Sequence, residues 1–378
     1  MSMTKKEARS AKKQGVQPAP TGPLIPTAPG TAMSLAEDKL YTVTSSPHVA
    51  SEEGTRSIML DVVIALLPAL AGAVYFFGWR SLTLTLVSVA VCVAAEYIWC
   101  RLMHRPRAVG DLSAVVTGIL IAFNLPATVP YYVPVVAGVF AIVIVKQLYG
   151  GIGKNFMNPA LAGRAFVFFC FTRAMATFPE VFEYAPVVGS TADVVTAATP
   201  LAALKNGLLP DFSPVELLLG QNGGTLGETS VVLLLAGGLY LMLRRVISPR
   251  IPLCYIGTVA VLCLIFPRGG IAPVDWMLYN LLSGGLVLGA LFMATDYTTS
   301  PVTTTGRTLF GIGCGALTVF FRYFGSYAEG VSFAILLMNV CVWLFDKAGM
   351  PRRYGVTAQM EKEAKRASRA KKKGGGAA

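Results

Sequence analysis

Apolar residues in this chain come in long, nearly unbroken runs. They show neither the alternation of a half-buried strand nor the one-sided stripe of a surface helix. A helix needs about 20 residues to cross a bilayer, within a range of roughly 17 to 25. Runs at 58–78, 81–100, 112–125, 132–149, 158–172, 230–246, 252–266, 277–294, 309–324 and 331–345 meet or approach that requirement. Several fall short, which predicts spans completed by flanking residues, or re-entrant or broken helices. The pattern predicts an all-α fold, a polytopic membrane bundle of about ten transmembrane helices.

The polar stretches divide the chain further. Residues 1–55, rich in Pro, Ala, Ser and Lys, read as a flexible cytoplasmic tail. Residues 56–172 and 229–347 read as two membrane halves, and 348–378 as a basic cytoplasmic tail. Between the halves lies a long loop, 173–228. It is poor in Lys and Arg and carries Glu180, Glu183, Asp193, Asp211, Glu216 and Glu228 among apolar residues. A loop of that length is expected to be functional, and its apolar content predicts order.

Charge gives the orientation. With the N-terminal tail in the cytoplasm and sides alternating, Arg101, Arg105, Arg107, Lys146, Lys154, Arg244, Arg245, Arg250 and Arg307 fall inside. Only Arg80, Arg173, Lys205, Arg268 and Arg322 fall outside. That bias predicts both tails inside, an even number of spans and an external 173–228 loop. The N-terminus is polar and long, and the first apolar run continues into a full span, so no cleavable signal peptide is expected.

Composition agrees. Mean hydropathy is +0.60 and 14% of residues are charged, against about a quarter in soluble domains. The net charge of +12 gathers in the tails, at positions such as Lys5, Lys6, Lys371 and Lys372. Basic flanks of this kind suit the anionic lipid surface of a bilayer and argue against nucleic acid as a partner. The seven cysteines are scattered without C-x-x-C spacing, and the two histidines are His48 and His104. A metal, iron–sulfur or haem-rich site owned by this chain is not expected.

A weak internal echo relates residues 136–150 to 311–325. Each is an apolar stretch closing on a basic residue and an aromatic-Gly pair. Polar, Pro-containing segments precede both, at 122–128 and 294–301. Polar breaks at matching places in two halves predict an inverted repeat with broken helices near the midplane.

The chemistry-bearing residues are few. Asp193 opens a segment in which Thr196 and Thr199 are separated by two alanines and followed by Pro200. Small side chains let a bulky ligand approach the backbone. The same letters also suit a helix start, with Thr199 as cap and Pro200 at the first helical position. Asn155 and Asn158 stand beside Pro159 at a span entrance, where carboxamides serve equally for capping or for recognising a heterocycle edge. Arg164 lies within an apolar run and must face a partner, a ligand or water. Of the carboxylates Asp61, Glu96, Asp111 and Asp296, the last is the preferred ion-path residue because it falls in an expected helix break. Gly284, Gly285 and Gly289 read as close helix packing.

The segment around Thr199 resembles the S/T-G-A-T flavinylation motif shared by the D subunit of Rnf-type ion-translocating oxidoreductases and the B subunit of the sodium-translocating NADH:quinone oxidoreductase. Ala197 stands where that family usually has Gly. The resemblance extends over nearly the whole chain. It takes in Ser46-Pro-His48 with the run after Arg56, the N-x-x-N-P-A…R-A-F stretch from Asn155 to Phe166, the G-E-T-S segment at 227–230, and Asp296 to Pro301 with Gly306-Arg307. The Ser46-Pro-His48 entry favours the Rnf branch.

The resemblance implies a fold similar to urea channels and FMN esterified through its phosphate to Thr199. It also implies a second, non-covalent flavin (riboflavin or FMN) near Asn155 and Asn158; for Arg164, a charge inside an apolar run, a flavin phosphate or a buried carboxylate would serve. The partners it implies are flavin, iron–sulfur and membrane subunits of the same complex. The activity it implies is electron transfer between ferredoxin and NAD pools, coupled to Na+ or H+ movement across a bacterial inner membrane. No nicotinamide fingerprint occurs in the chain, so NADH and ferredoxin fall to partner subunits. The competing reading is a small-solute channel or secondary transporter, with the external loop as a lid.

Overall fold

Helices occupy each of the apolar runs, and no strand occurs among the described residues. The computed structural model describes residues 54–104, 109–187, 189, 195, 199–228 and 230–350, all within one compact unit. In chain order the first half holds α1 (Thr55–Phe77), α2 (Trp79–Leu102), α3 (Ser113–Phe123), α4 (Tyr132–Val139) running into a π-helix (Phe140–Gln147), and α5 (Pro159–Cys170). The connecting segment holds three short helices, α6 (Thr172–Met175), α7 (Pro200–Lys205) and α8 (Pro214–Leu219). The second half holds α9 (Val231–Leu243), α10 (Arg250–Ile265), α11 (Pro273–Leu282), α12 (Leu286–Leu288) running into a second π-helix (Gly289–Met293), α13 (Thr304–Phe324), α14 (Val331–Val340) and α15 (Val342–Gly349).

Among the described residues, only α1 and α2 are both long and apolar enough to cross a membrane unaided. Two further crossings arise if bent pairs count as one span each: α11 with Leu286–Met293, bent by 65°, and α14 with α15, bent by 58°. The apolar helices α3, α4 with its π-helix, α5, α9 and α10 are shorter, at 10–17 residues. Most short runs in the sequence are short helices, while 309–324 is completed by flanking residues into the 21-residue α13.

Small residues set the closest packing. Gly311 and Gly315, four apart and so on one face of α13, lie against α10. A Cβ at either would come within 2.9 Å of a backbone oxygen, of Ile251 or Tyr255. The Tyr255 and Thr318 hydroxyls bond at 2.7 Å across the same seam. At Gly237 on α9 a Cβ would stand 2.1 Å from the Ala65 oxygen of α1, so the two halves meet backbone to backbone. Gly289 packs as expected, with Val331 Cγ1 where its Cβ would be. Gly284 and Gly285 do not pack helices. They form the bend between α11 and α12, and Gly284 has φ 73°.

The polar interruptions are where helices stop. Helix α3 ends at Phe123 and the next begins at Tyr132; the second π-helix ends at Met293 and α13 begins at Thr304. The two echo segments differ in detail, since the first contains a π-helix and the second lies in a continuous α-helix. The π register brings two successive side chains, Lys146 and Gln147, onto one oxygen of Glu96.

Breaks expose carbonyls that apolar surroundings cannot satisfy. Arg80 donates to the carbonyls of Ala127, Val129 and Pro186 at 2.8, 3.1 and 2.6 Å. Arg322 donates to those of Asn280 and Ser283 at 2.5 and 3.1 Å. Arg80, Arg322 and Lys146 are 2%, 4% and 3% exposed. All three are internal, so the loop-charge tally above loses two outside members and one inside member.

Candidate functional site

Helix α5 carries residues of two cavities. Its N-terminal end is capped by Asn158, whose carboxamide oxygen accepts from the Ala160 and Leu161 N–H groups at 3.0 and 3.4 Å. The same carboxamide donates to the Met293 carbonyl at 3.2 Å, tying the helix start to the second π-helix. Pro159 fits because the first helical N–H needs no partner. Six residues on, about 9 Å along the axis, Arg164 faces a different space.

The first cavity, of about 90 Å³, is lined by Asn155, Asn158, Asp296, Thr298, Lys146 and Ser113 among others. Asp296 accepts from the Thr298 and Thr299 hydroxyls at 3.0 and 3.1 Å, and Asn155 donates to Thr298 Oγ1 at 2.9 Å. A carboxylate in a helix break therefore shares one polar wall with both asparagines. Lys146 reaches this wall while also pairing with Glu96 at 2.7 Å and donating to Ser113 at 2.6 Å. The other carboxylates serve local ends. Asp61 pairs with Arg244 at 3.2 Å and accepts from Tyr240 at 3.0 Å; Asp111 accepts from the Ser113 N–H and hydroxyl at 2.9 and 2.5 Å.

The second cavity, of about 210 Å³, brings Arg164 and Thr199 together, with Glu228, Glu329 and the aromatic side chains of Phe168 and Tyr327 in its wall. Phe168 and Tyr327 meet edge to face, with centroids 4.6 Å apart. Thr199 is the residue before α7, with extended backbone (φ −67°, ψ 146°) and Pro200 after it, yet its side chain makes no capping bond. The helix-start reading of T-P is right for the backbone, while the hydroxyl remains uncommitted at the cavity wall. Arg164 donates to Glu329 and to the Ser332 hydroxyl. Glu228 is positioned by backbone bonds from Leu226 and Gly227 to the Leu125 and Phe123 carbonyls, which close the exposed end of α3.

The structure thus divides the expected set. Arg164 joins Thr199, while Asn155 and Asn158 join Asp296. Asp193, Thr196 and Ala197 lie outside the described residues. Glu329 and the pairing of Lys146 with Glu96 were not singled out by sequence reasoning; of the residues around Thr199, Arg164 carried a signal as a charge in an apolar run and Glu228 in its G-E-T-S setting. No group of three or more His, Cys, Asp or Glu side chains among the described residues could hold a metal.

Residues 42–355 match the NQR2, RnfD, RnfE family. The chain is similar to the D subunit of the Na(+)-translocating ferredoxin:NAD(+) oxidoreductase complex of Acetobacterium woodii, 47% identical over 327 residues, covering 86% of this chain and 98% of that protein. It is 39% identical over 334 residues to the D subunit of the proton-translocating ferredoxin:NAD(+) oxidoreductase complex of Clostridium ljungdahlii, covering 86% and 99%. To the D subunit of the ion-translocating oxidoreductase complex of Stutzerimonas stutzeri it is 41% identical over 327 residues, covering 80% and 92%.

Proposed function

Since the chain belongs to the NQR2, RnfD, RnfE family, we propose that it is the membrane-embedded D subunit of an Rnf-type complex and carries FMN as a phosphoester on Thr199. The subunit assignment follows its relatives, which bear that name over nearly their full length. The complex it serves is a ferredoxin:NAD oxidoreductase that moves an ion, and its partners are the other subunits. Under this reading 1–55 and 348–378 are cytoplasmic, 173–228 lies outside the inner membrane, and 56–172 and 229–347 are the two membrane halves.

The observation that carries the flavin is the position of the Thr199 hydroxyl, free of a capping bond beside an aromatic-walled cavity. An ester at that oxygen displaces no helix-cap bond. The residues present suit the group. Phe168 and Tyr327 offer flat apolar surface, and Arg164 offers a buried cation. When bound, the flavin supplies reversible storage of electrons. The chain's own part is to fix the ring against aromatic walls, limit water and hold compensating charge nearby. Asn155 and Asn158 are the side chains toward which a second, non-covalent flavin would be held, and the cavity of about 90 Å³ that they line would have to widen to admit it. Asp296 in the cavity wall is the ion-path carboxylate.

The test uses the chain expressed in membranes together with the flavin-transfer machinery. After denaturing electrophoresis the wild-type band fluoresces as flavin and Thr199→Ala is dark. A bright Thr199→Ala band removes Thr199 from this role.

A further inference from the structure

Two carboxyl groups converge on one point of the Thr199 cavity. A Cβ built on Gly285 would lie 2.7 Å from Glu329 Oε1 and 2.8 Å from Glu228 Oε1. Glu228 is 8% exposed, lines the cavity, and its Oε1 has no hydrogen-bond partner. A bare carboxylate oxygen in that setting forfeits hydration without compensation, and a second carboxylate beside it adds repulsion.

The surrounding charges decide which group is relieved. Arg164 from α5 is spent on Glu329 and Ser332. Arg322 from α13 gives its two terminal nitrogens to the Asn280 and Ser283 carbonyls, and its Nε has no partner. Tyr327 lies in the cavity wall, and Tyr255 on α10 is bonded to Thr318. Neither arginine donates to Glu228.

We propose that Glu228 and Glu329 form a proton-holding pair: one proton resides on Glu228, and Arg164 keeps Glu329 ionised. Both residues lie outside the spanning helices. Burial pushes the Glu228 carboxyl well above the ordinary range, Glu329 adds to this, and Arg164 opposes it. For Glu329 burial acts upward too, but the charge and hydrogen bond of Arg164 hold it below the ordinary range. The proton is exchanged as Glu228 COOH giving Glu228 COO⁻ and H+, with no other bond made or broken. This pair stands whether or not Thr199 carries a flavin. If it does, the cavity has a built-in proton donor that can answer a change of charge there.

The experiment is infrared difference spectroscopy on the assembled complex with glutamate-specific isotope labelling, in light and heavy water. At neutral pH the wild type shows a protonated-carboxyl band that shifts in heavy water and is absent in Glu228→Gln. Glu329→Gln supplies an independent arm. It frees Arg164 for Glu228, so deleting a carboxylate should abolish the acid band. The band is expected to be indifferent to sodium. A wild type without the band, a band that survives in Glu329→Gln, or one that sodium removes would each overturn the assignment. The last would make the pair a sodium site. Fluorescence of the denatured band reads the Thr199 ester separately, so failure of one reading is distinguishable from failure of the other.

Discussion

Lys146 Nζ lies 2.7 Å from Glu96 Oε1, and the two side chains are 3% and 0% exposed. Gln147 donates to the same oxygen at 2.6 Å, while Glu96 Oε2 has no partner. π-Helical turns concentrate at functional sites, and this one delivers a buried ion pair to the edge of the Asp296 cavity. Removing one member strands a buried charge, which costs about 3–5 kcal/mol. Lys146→Met and Glu96→Gln are each expected to lower stability on that scale in detergent unfolding. The double variant should recover most of the loss, because replacing a whole buried pair is often near neutral. A double variant as damaged as the two losses added together would show that the pair is uncoupled.

The guanidinium of Arg80 holds the break after α3 by bonding three carbonyls. Hydrogen bonds from charged groups contribute about 1.5–3 kcal/mol each. Arg80→Ala should therefore destabilise by at least about 3 kcal/mol. Arg80→Lys should fall between, since an ammonium cannot reproduce the planar fork. Thermal unfolding of the three proteins in one detergent reads the order. A lysine variant equal to wild type would show that charge alone suffices.

The Glu228 proton carries a pH signature. Unfolded, its carboxyl titrates near the ordinary value of about 4.3; folded, its affinity for the proton is raised. Between those two values the folded state binds more protons, so stability falls as pH rises through the window. Glu329 has the opposite sign: its contribution is present above the ordinary value and is lost as pH falls through its lowered folded value. Glu228→Gln should therefore lose this decline and gain on the wild type as pH rises above the ordinary carboxyl value. Equal pH dependence in the two would contradict this.

Asp296 shares its cavity wall with Asn155 and Asn158 and is held by two threonine hydroxyls. Asp296→Asn keeps the shape and removes the charge. Ion pumping by the assembled complex in vesicles should drop at least about tenfold, about 1.4 kcal/mol or more, with covalent flavin content unchanged. Pumping at the wild-type rate would take Asp296 off the ion path.

The helices were readable because the length of an apolar run is a direct constraint of the bilayer. The ends held to within a few residues. For example, the run at 158–172 became Pro159–Cys170 with Asn158 as its cap. Thr199 was singled out by resemblance, and its backbone position before a helix was readable from Pro200. The internal ion pairs and clamps were not readable, because their partners are remote in the chain. Arg80 meets carbonyls 47 and 106 residues away, and Arg164 meets Glu329 across 165. A charge inside an apolar run says that a partner exists but not which one. For the same reason the sequence grouped Arg164 with Asn155 and Asn158, while helical geometry turned it toward Thr199. The π-helix was also hidden, since its residues read as an ordinary apolar helix.

The most direct measurement is the mass of the proteolytic peptide that contains Thr199, taken from chain matured in cells able to transfer flavin. The expected peptide is heavier by FMN less one water, with fragment ions placing the addition on Thr199. A peptide of unmodified mass, or an addition on another residue, would contradict the account.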